Sequence, residues 1–252
     1  MVVYLKNKFS DAGTATLFAA RFFKEVFRPP LEIKEFLRQC YILGYKSLVL
    51  VGITAFIMGL VMTLQSRPTL VEFGAEAWLP GMVALSLVKE IAPVITAVIC
   101  AGKIASAIGA ELGSMKVTEQ IDAMEVSAVN PYKYLVVTRV LATTLMIPLL
   151  VIFADAIGIF GSYISMNIHT DITLFRFLSK ALGSIEFIDI IPATIKTFFF
   201  GFFIGMIGCY KGFTAANGTE SVGRAANAAV VSASITIFVI DMIAVQITDL
   251  FL

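Results

Sequence analysis

Long apolar runs separated by short polar connections are the dominant pattern along this 252-residue chain. A helix of ~20 apolar residues crosses a ~30 Å hydrocarbon layer, and about five stretches reach that length. Arg67-Pro68 is expected to end the first stretch, and Asn130-Pro131 to cap and start the third. The pattern predicts an all-α integral membrane protein with about five transmembrane helices, at residues 41–64, 79–108, 132–166, 190–210 and 226–252.

Residues 1–40 are amphipathic rather than uniformly apolar. Their cations alternate with aromatic side chains, as in helices that lie in the membrane interface. Pro29-Pro30 is expected to break this segment into two pieces. The predicted organisation is therefore an interfacial segment at 1–40 and a transmembrane domain at 41–252. The interfacial residues are Lys6, Lys8, Arg21, Lys24, Arg28, Lys34 and Arg38 with Phe9, Phe18, Phe22, Phe23 and Phe27.

The connection at 109–134 has helical periodicity of its own. Val117, Ile121 and Met124 recur at helical spacing with acidic and amide side chains between them. This spacing predicts a short amphipathic helix over 117–129, between the second and third transmembrane helices. A linker helix resting on the membrane and a docking element for a cytoplasmic partner both fit the pattern.

The distribution of Lys and Arg over the connections predicts the orientation. The N-terminal side carries eleven of these residues and the opposite side three. Since cytoplasmic loops are enriched in Lys and Arg, the N-terminus is predicted to be cytoplasmic. Five spans then place the C-terminus on the other side of the membrane, and the helix at 117–129 on the cytoplasmic side.

Ionisable residues fall within or near the predicted spans. Such residues are costly in hydrocarbon and persist when they are paired or face a cavity. Lys89 and Glu90 are adjacent, so on a helix they point about 100° apart and need different partners. Lys196 and Asp241 have opposite charges and are predicted to pair between the last two spans, either to hold the helices together or to line a substrate cavity. The set is Lys89, Glu90, Lys103, Asp155, Lys196 and Asp241.

Glycines in the fourth span follow a small-residue pattern. Gly201 and Gly205, and Gly208 and Gly212, are each four residues apart, a spacing that allows helices to approach closely. This spacing is common in membrane segments, so it is weak evidence for a dimer.

Composition excludes several other classes of function. The chain is 58% hydrophobic and 15% charged, with a net charge of +1, so nothing in it favours nucleic-acid binding. Three dispersed cysteines and a single histidine predict neither a disulfide framework nor a metal site. No catalytic residues and no phosphate-binding loop are recognisable, since Gly102-Lys103 is followed by Ile104. We therefore expect a non-enzymatic chain without a cofactor, and any ATP to be used by another subunit.

The region from Leu85 to Leu141 resembles the MlaE permease family, the membrane subunits of bacterial phospholipid ABC transporters that work with MCE-domain proteins. The similarity rests on Leu87-Val-Lys-Glu-Ile-Ala-Pro, on the run from Ala101 to Pro131, and on later matches at Gly158 to Gly161 and at Ser221-Val-Gly-Arg-Ala. Two departures are Ala92, where many relatives have glycine, and the loop at 217–224, which follows the family pattern only loosely.

The resemblance implies a homodimer in the bacterial inner membrane, with its C-terminus periplasmic, two cytoplasmic ATPase subunits, and a periplasmic ring of MCE-domain proteins expected to be a hexamer. A STAS-domain protein often accompanies the ATPase. It also implies phospholipid transport for outer-membrane lipid homeostasis and lipid asymmetry, a cavity acid at Glu90 beside Lys89, and a polar pair of Lys196 and Asp241. The ATPase coupling helix would include Val117, Thr118, Glu119, Gln120, Asp122, Ala123, Met124 and Glu125.

Two other functions stay open at this point. An ion-coupled secondary transporter would use Asp155, Asp241 and Glu90 as a relay, although no inverted repeat supports it. A membrane anchor that recruits a cytoplasmic partner would need only the 117–129 helix and would leave the charged residues within the spans without a role.

Overall fold

The computed structural model describes residues 2–29 and 32–251, and the elements formed there are helices. Short turns connect them in an up-and-down order. In chain order the helices are α1 (Val2–Val26), α2 (Ile33–Glu72), α3 (Glu76–Val117), α4 (Gln120–Val126), α5 (Tyr132–Asn167), α6 (Leu174–Gly183), α7 (Phe187–Phe213) and α8 (Thr219–Phe251).

Five of these helices, α2, α3, α5, α7 and α8, are long and apolar enough to cross a membrane. This finding confirms the predicted all-α membrane fold, and the short α4 lies between the second and third spans as expected. The chain is a multi-pass membrane protein. Leu252, the predicted end of the last span, and Pro30, part of the predicted break, lie outside the described residues.

Helix α2 extends beyond the predicted limits of the first span at both ends. It begins at Ile33, so residues 33–40 belong to the same helix, and the prediction that Arg67-Pro68 ends it was wrong because Pro68 lies inside the helix. Pro68 has no backbone N–H to donate to the carbonyl four residues earlier, yet the helix continues past it. The helix ends instead at Glu72, and the following Gly74 has a φ of +66° that lets the Ala75 amide donate back to the Leu70 carbonyl at 2.7 Å.

The second span is longer than predicted and irregular. α3 widens into π-helical turns at Leu87–Ile91 and Ala101–Ala105, the first of them just before Pro93, a residue type that favours a bend in a helix. It continues beyond residue 108 to Val117, because Gly109 and Gly113 lie against the backbone of α8 and keep this end packed.

Helix α5 is the centre of the bundle and packs along α2 on one side and α7 on the other. Gly59 of α2 meets the backbone of Gly158 in α5, and Gly201 and Gly205 of α7 meet α5 around Thr143. Close approach of this kind maximises packing between helices in a membrane. The glycines of α7 therefore mediate contacts within the chain.

The N-terminal helix α1 lies on the ends of α5 and α7. Phe18 and Tyr132 meet edge to face at 4.9 Å, and Phe22 is buried against Phe202. The Arg21 guanidinium lies 4.7 Å from the centre of the Tyr132 ring. One aromatic side of α1 thus faces the bundle, whereas its interfacial position in a membrane stays a prediction. The side chains of Lys6, Lys8 and Phe9 lie outside the described part.

Helix α6 lies in the connection between the third and fourth spans, where the hydropathy pattern predicts no transmembrane helix. Phe177 and Ala181, one helical turn apart, are fully buried against Leu79 and Val83 at the start of α3. The polar residues between them face outwards, so the mean hydropathy of the segment is too low to predict a transmembrane span. Its four-residue apolar spacing was the signal that could have revealed it.

We predict that Gly205→Leu separates α5 from α7. A side chain at this position would begin 3.0 Å from the Val140 Cα, and its first atom would also overlap the Thr143 hydroxyl. Overpacking of this kind costs about 1–3 kcal/mol, which thermal unfolding in detergent would detect. Gly102→Leu is the matched control, because nothing lies within 4 Å of that position. Equal melting temperatures for both variants would contradict the packing assignment.

Candidate functional site

Charged residues from three spans converge on one buried ammonium group. Lys196 of α7 is only 5% exposed, and its Nζ lies 2.6 Å from Glu90 Oε2 of α3 and 3.0 Å from Asp241 Oδ1 of α8. We call these three residues the Lys196 cluster. The structure thus places Lys196 and Asp241 together, as the sequence predicts, and adds Glu90 as the second carboxylate.

Lys89, next to Glu90, has a different partner. Its Nζ lies 2.9 Å from Asp189 Oδ1 in the first turn of α7. Asp189 also accepts the Glu186 amide at 3.1 Å within a capping box at the start of that helix. Lys89 therefore pairs with the Asp189 carboxylate and Glu90 with the Lys196 ammonium group, in the separate directions that their 100° offset requires.

Sequence reasoning missed Asp189. The available signal was the spacing of Glu186 and Asp189 just before an apolar run, which is typical of a helix start. Such a pattern identifies a cap, but it does not indicate which distant cation the capping carboxylate also meets.

Electrostatics explain why the Lys196 cluster needs two carboxylates. Transferring an ammonium group from water into an apolar bundle costs several kcal/mol unless close acids and hydrogen bonds compensate. Lys196 begins about 14 Å along α7, one of the five helices that are long and apolar enough to span a membrane. Glu90 and Asp241 remain partly accessible, with side chains 44% and 18% exposed, so one side of the cluster is open.

This open side leads into two adjoining spaces. A polar cavity of about 110 Å³ is lined by Lys89, Glu90, Asp189 and Lys196. An apolar groove of about 430 Å³ between α7 and α8 begins at the same Lys196. The arrangement offers charged groups beside a wall of aliphatic and aromatic side chains. The groove is lined by Ile188, Pro192, Ile195, Lys196, Phe199, Ile240, Ile243, Ala244, Ile247 and Thr248.

The other predicted membrane charges lie elsewhere. Lys103 of α3 donates to the Lys46 carbonyl of α2, and Asp155 of α5 lines a separate cavity. The described residues contain no group of His, Cys, Asp and Glu side chains that could hold a metal ion. Neither Lys103 nor Asp155 belongs to the Lys196 cluster.

A further ion pair, which the sequence did not predict, joins α3 to α5. The Arg139 guanidinium is 2% exposed, donates to the Leu135 carbonyl at 3.0 Å, and lies 2.8 Å from Glu111 Oε1. Glu111 is at the end of α3 that leads to α4. This pair therefore fixes the position of the segment that precedes the short helix.

The short helix differs in its limits from the prediction of 117–129. Val117 ends α3, and Thr118 and Glu119 form the turn, because Glu119 takes a left-handed φ of 58° that interrupts the helix. α4 therefore runs only from Gln120 to Val126. Its Ile121 is buried against the bundle, whereas its remaining side chains face outwards in large part, including Gln120, Asp122, Ala123, Glu125 and Val126.

Comparisons with known proteins match most of this chain to permease proteins. A family model described as Permease MlaE matches residues 36–247. A probable ABC transporter permease protein of Rickettsia felis is 37% identical over 97% of this chain and 93% of its own length. Another from Synechocystis is 33% identical over 92% and 88%. The intermembrane phospholipid transport system permease protein MlaE of Haemophilus influenzae is 33% identical over 82% and 79%.

We predict that Lys196→Met destabilises the bundle, because it leaves the two carboxylates of the cluster without their cation. Removing one partner of a buried ion pair costs about 3–5 kcal/mol, and the partial exposure of Glu90 should keep the loss near the lower end. The triple variant Lys196→Met/Glu90→Gln/Asp241→Asn should recover most of that stability, since no charge is left unpaired. Thermal unfolding in detergent measures both.

Lys180→Met serves as the control, since it removes a lysine that is exposed on α6. If the triple variant unfolds at the same temperature as Lys196→Met, unpaired charge is not the cause of the loss.

Proposed function

The chain belongs to the MlaE permease family, and on that premise we propose that it is the permease subunit of an ABC transporter that moves phospholipid. It would exchange lipid between the bacterial inner membrane and periplasmic MCE-domain proteins, for outer-membrane lipid homeostasis. The observation that carries this proposal is the family match over residues 36–247, which includes Glu90, Lys196 and Asp241. The relative named as a phospholipid transport permease supports the substrate class.

The chemistry of a phospholipid suits the site. A phospholipid combines acyl chains, which need an apolar wall, with a charged headgroup, which needs polar partners. The groove between α7 and α8 would receive acyl chain, and Lys89 and Lys196 would meet the phosphate at its polar end. Glu90 and Asp241 would then exchange contact with Lys196 for contact with solvent as the headgroup enters.

We expect the energy for transport to come from a separate ATPase subunit that binds ATP. This chain would then be non-enzymatic and would hold no cofactor. The exposed face of α4 supports a docking role, because Val126 is 90% exposed beside the acidic Asp122 and Glu125. A movement of α4 would be transmitted through Val117 to α3, the helix that contains Glu90. A movement of the ATPase would thereby act on the Lys196 cluster.

A second copy of this chain and periplasmic partners complete the proposed assembly. Helix α8 has apolar side chains exposed along its length, among them Ile235, Phe238 and Met242. We propose that a homodimer covers part of this surface, with a ring of MCE-domain proteins, expected to be a hexamer, on the periplasmic side and a STAS-domain protein beside the ATPase. The count of Lys and Arg favours a cytoplasmic N-terminus and a periplasmic C-terminus.

We predict that Val126→Asp prevents the ATPase subunit from co-purifying with this chain. The substitution replaces the exposed apolar side chain at the end of α4 with a charge while leaving the buried Ile121 in place. Ile168→Asp is the matched control, because Ile168 is 71% exposed at the opposite end of α5 from α4. Equal recovery of ATPase with both variants would contradict a docking role for α4.

The substrate is tested by mass spectrometry of the lipids that co-purify with the complex of this chain and its ATPase. The proposal expects bound phospholipid at a fixed ratio to protein, and recovery of none would contradict it.

Reconstituted vesicles separate this function from ion-coupled transport. Lipid movement should require ATP and the ATPase, whereas movement driven by a pH gradient alone would favour a secondary transporter.

A further inference from the structure

A second cavity lies on the other side of α7 from the Lys196 cluster. It has a volume of about 350 Å³ and is bounded by α3, α5, α7 and the connection that precedes α7. Ala193 lines both this cavity and the polar one, so the wall of α7 separates them. We call it the Asp155 cavity, after its one charged lining residue.

Asp155 has no hydrogen-bond or ion-pair partner among the described residues. Its Oδ1 is buried and makes no hydrogen bond with any described residue, and none of the ion pairs of the described residues includes it. It lies about 18 Å from the end of α5 at Asn167, within the membrane-spanning part. An unpaired carboxylate at this depth is costly, and such residues usually mark a binding site or pathway.

The other residues that line the Asp155 cavity supply hydroxyl groups and apolar side chains, and none of them is a cation. The Thr197 hydroxyl already donates to the Thr194 carbonyl at 2.6 Å, so its oxygen can only accept a further hydrogen bond. Thr194 adds a second hydroxyl, and the remaining lining is apolar, with Val88, Ile152 and Leu182 among its residues. A ligand with a positive charge and an apolar body would therefore complement both the Asp155 carboxylate and the apolar walls of this cavity.

We propose that the Asp155 cavity binds a lipophilic amine whose protonated nitrogen pairs with Asp155. A bare divalent cation fits poorly, because one carboxylate is far fewer than the six to eight oxygen ligands that Ca²⁺ takes. A phospholipid also fits poorly, because no Lys or Arg lines this cavity to meet its phosphate. The volume lies within the range of small-molecule sites. This site is separate from the proposed phospholipid pathway and does not depend on it.

The test compares two ligands that differ only in charge, decylamine and decanol, on the full chain in phosphatidylcholine nanodiscs. At pH 7 the amine is protonated, since alkylammonium groups lose their proton near pH 10. Equilibrium dialysis with radiolabelled ligand, corrected with empty nanodiscs, should show saturable decylamine binding to one site per chain. Decanol should bind at least about tenfold more weakly, the typical effect of one charge-assisted hydrogen bond.

Two variants identify the residue responsible. Asp155→Asn should weaken decylamine binding by at least about tenfold and bring it to the level of decanol. Asp171→Asn, which removes the same charge from an exposed connection, should leave binding unchanged. The proposal is overturned if the unmodified chain binds amine and alcohol equally, which indicates partition into lipid only, or if folded Asp155→Asn retains decylamine affinity. The readout is ligand binding alone, so failure of lipid transport would not affect it.

Discussion

The pairing of Lys196 with Glu90 and Asp241 is the constraint around which the bundle is arranged. A single ammonium group, 5% exposed in an apolar helix, is tolerable only where acids from other helices reach it. Two do so, one from α3 and one from α8, so three spans share one charge centre. The rotation of α7 about its axis is thereby fixed, and with it the face that presents its glycines to α5.

The cluster also joins two parts of the molecule with different properties. Towards α5, packing is tight and rests on small residues, as expected where lipid provides no hydrophobic driving force between helices. Towards α8, the same Lys196 opens onto a groove of about 430 Å³. A charge centre between a rigid wall and an open groove suits a substrate with one charged and one apolar part. It also leaves Glu90 and Asp241 able to change partners at a modest cost, because both are partly accessible.

The Arg139–Glu111 pair extends this arrangement towards the short helix. It holds the end of α3 against α5, while the π-helical turn before Pro93 leaves the other half of α3 less regular. Helix α3 thus has a firm end at α4 and a more adaptable part at Lys89 and Glu90. A displacement of α4 would be carried along α3 to the charges.

The amino-acid sequence predicted those features of the fold that depend on local composition. The apolar runs gave five spans, and the Asn130 side chain accepts the Lys133 amide at 3.3 Å, as a cap before Pro131 should. Helix ends were less accurate, because packing of Gly109 against α8 and the left-handed Gly74 decided them. Asp189 and Glu111 were missed as ion-pair partners, since hydropathy indicates that a buried charge needs a partner without indicating which distant residue supplies it.

The most direct test of the account measures ATP-dependent transfer of fluorescent phospholipid from proteoliposomes that contain this chain and its ATPase to a purified MCE-domain acceptor. The triple variant Lys196→Met/Glu90→Gln/Asp241→Asn removes the charge centre without leaving an unpaired charge. The account predicts that this variant binds the ATPase normally but loses transfer by at least about tenfold. Transfer at the rate of the unmodified chain would contradict the claim that phospholipid passes the Lys196 cluster.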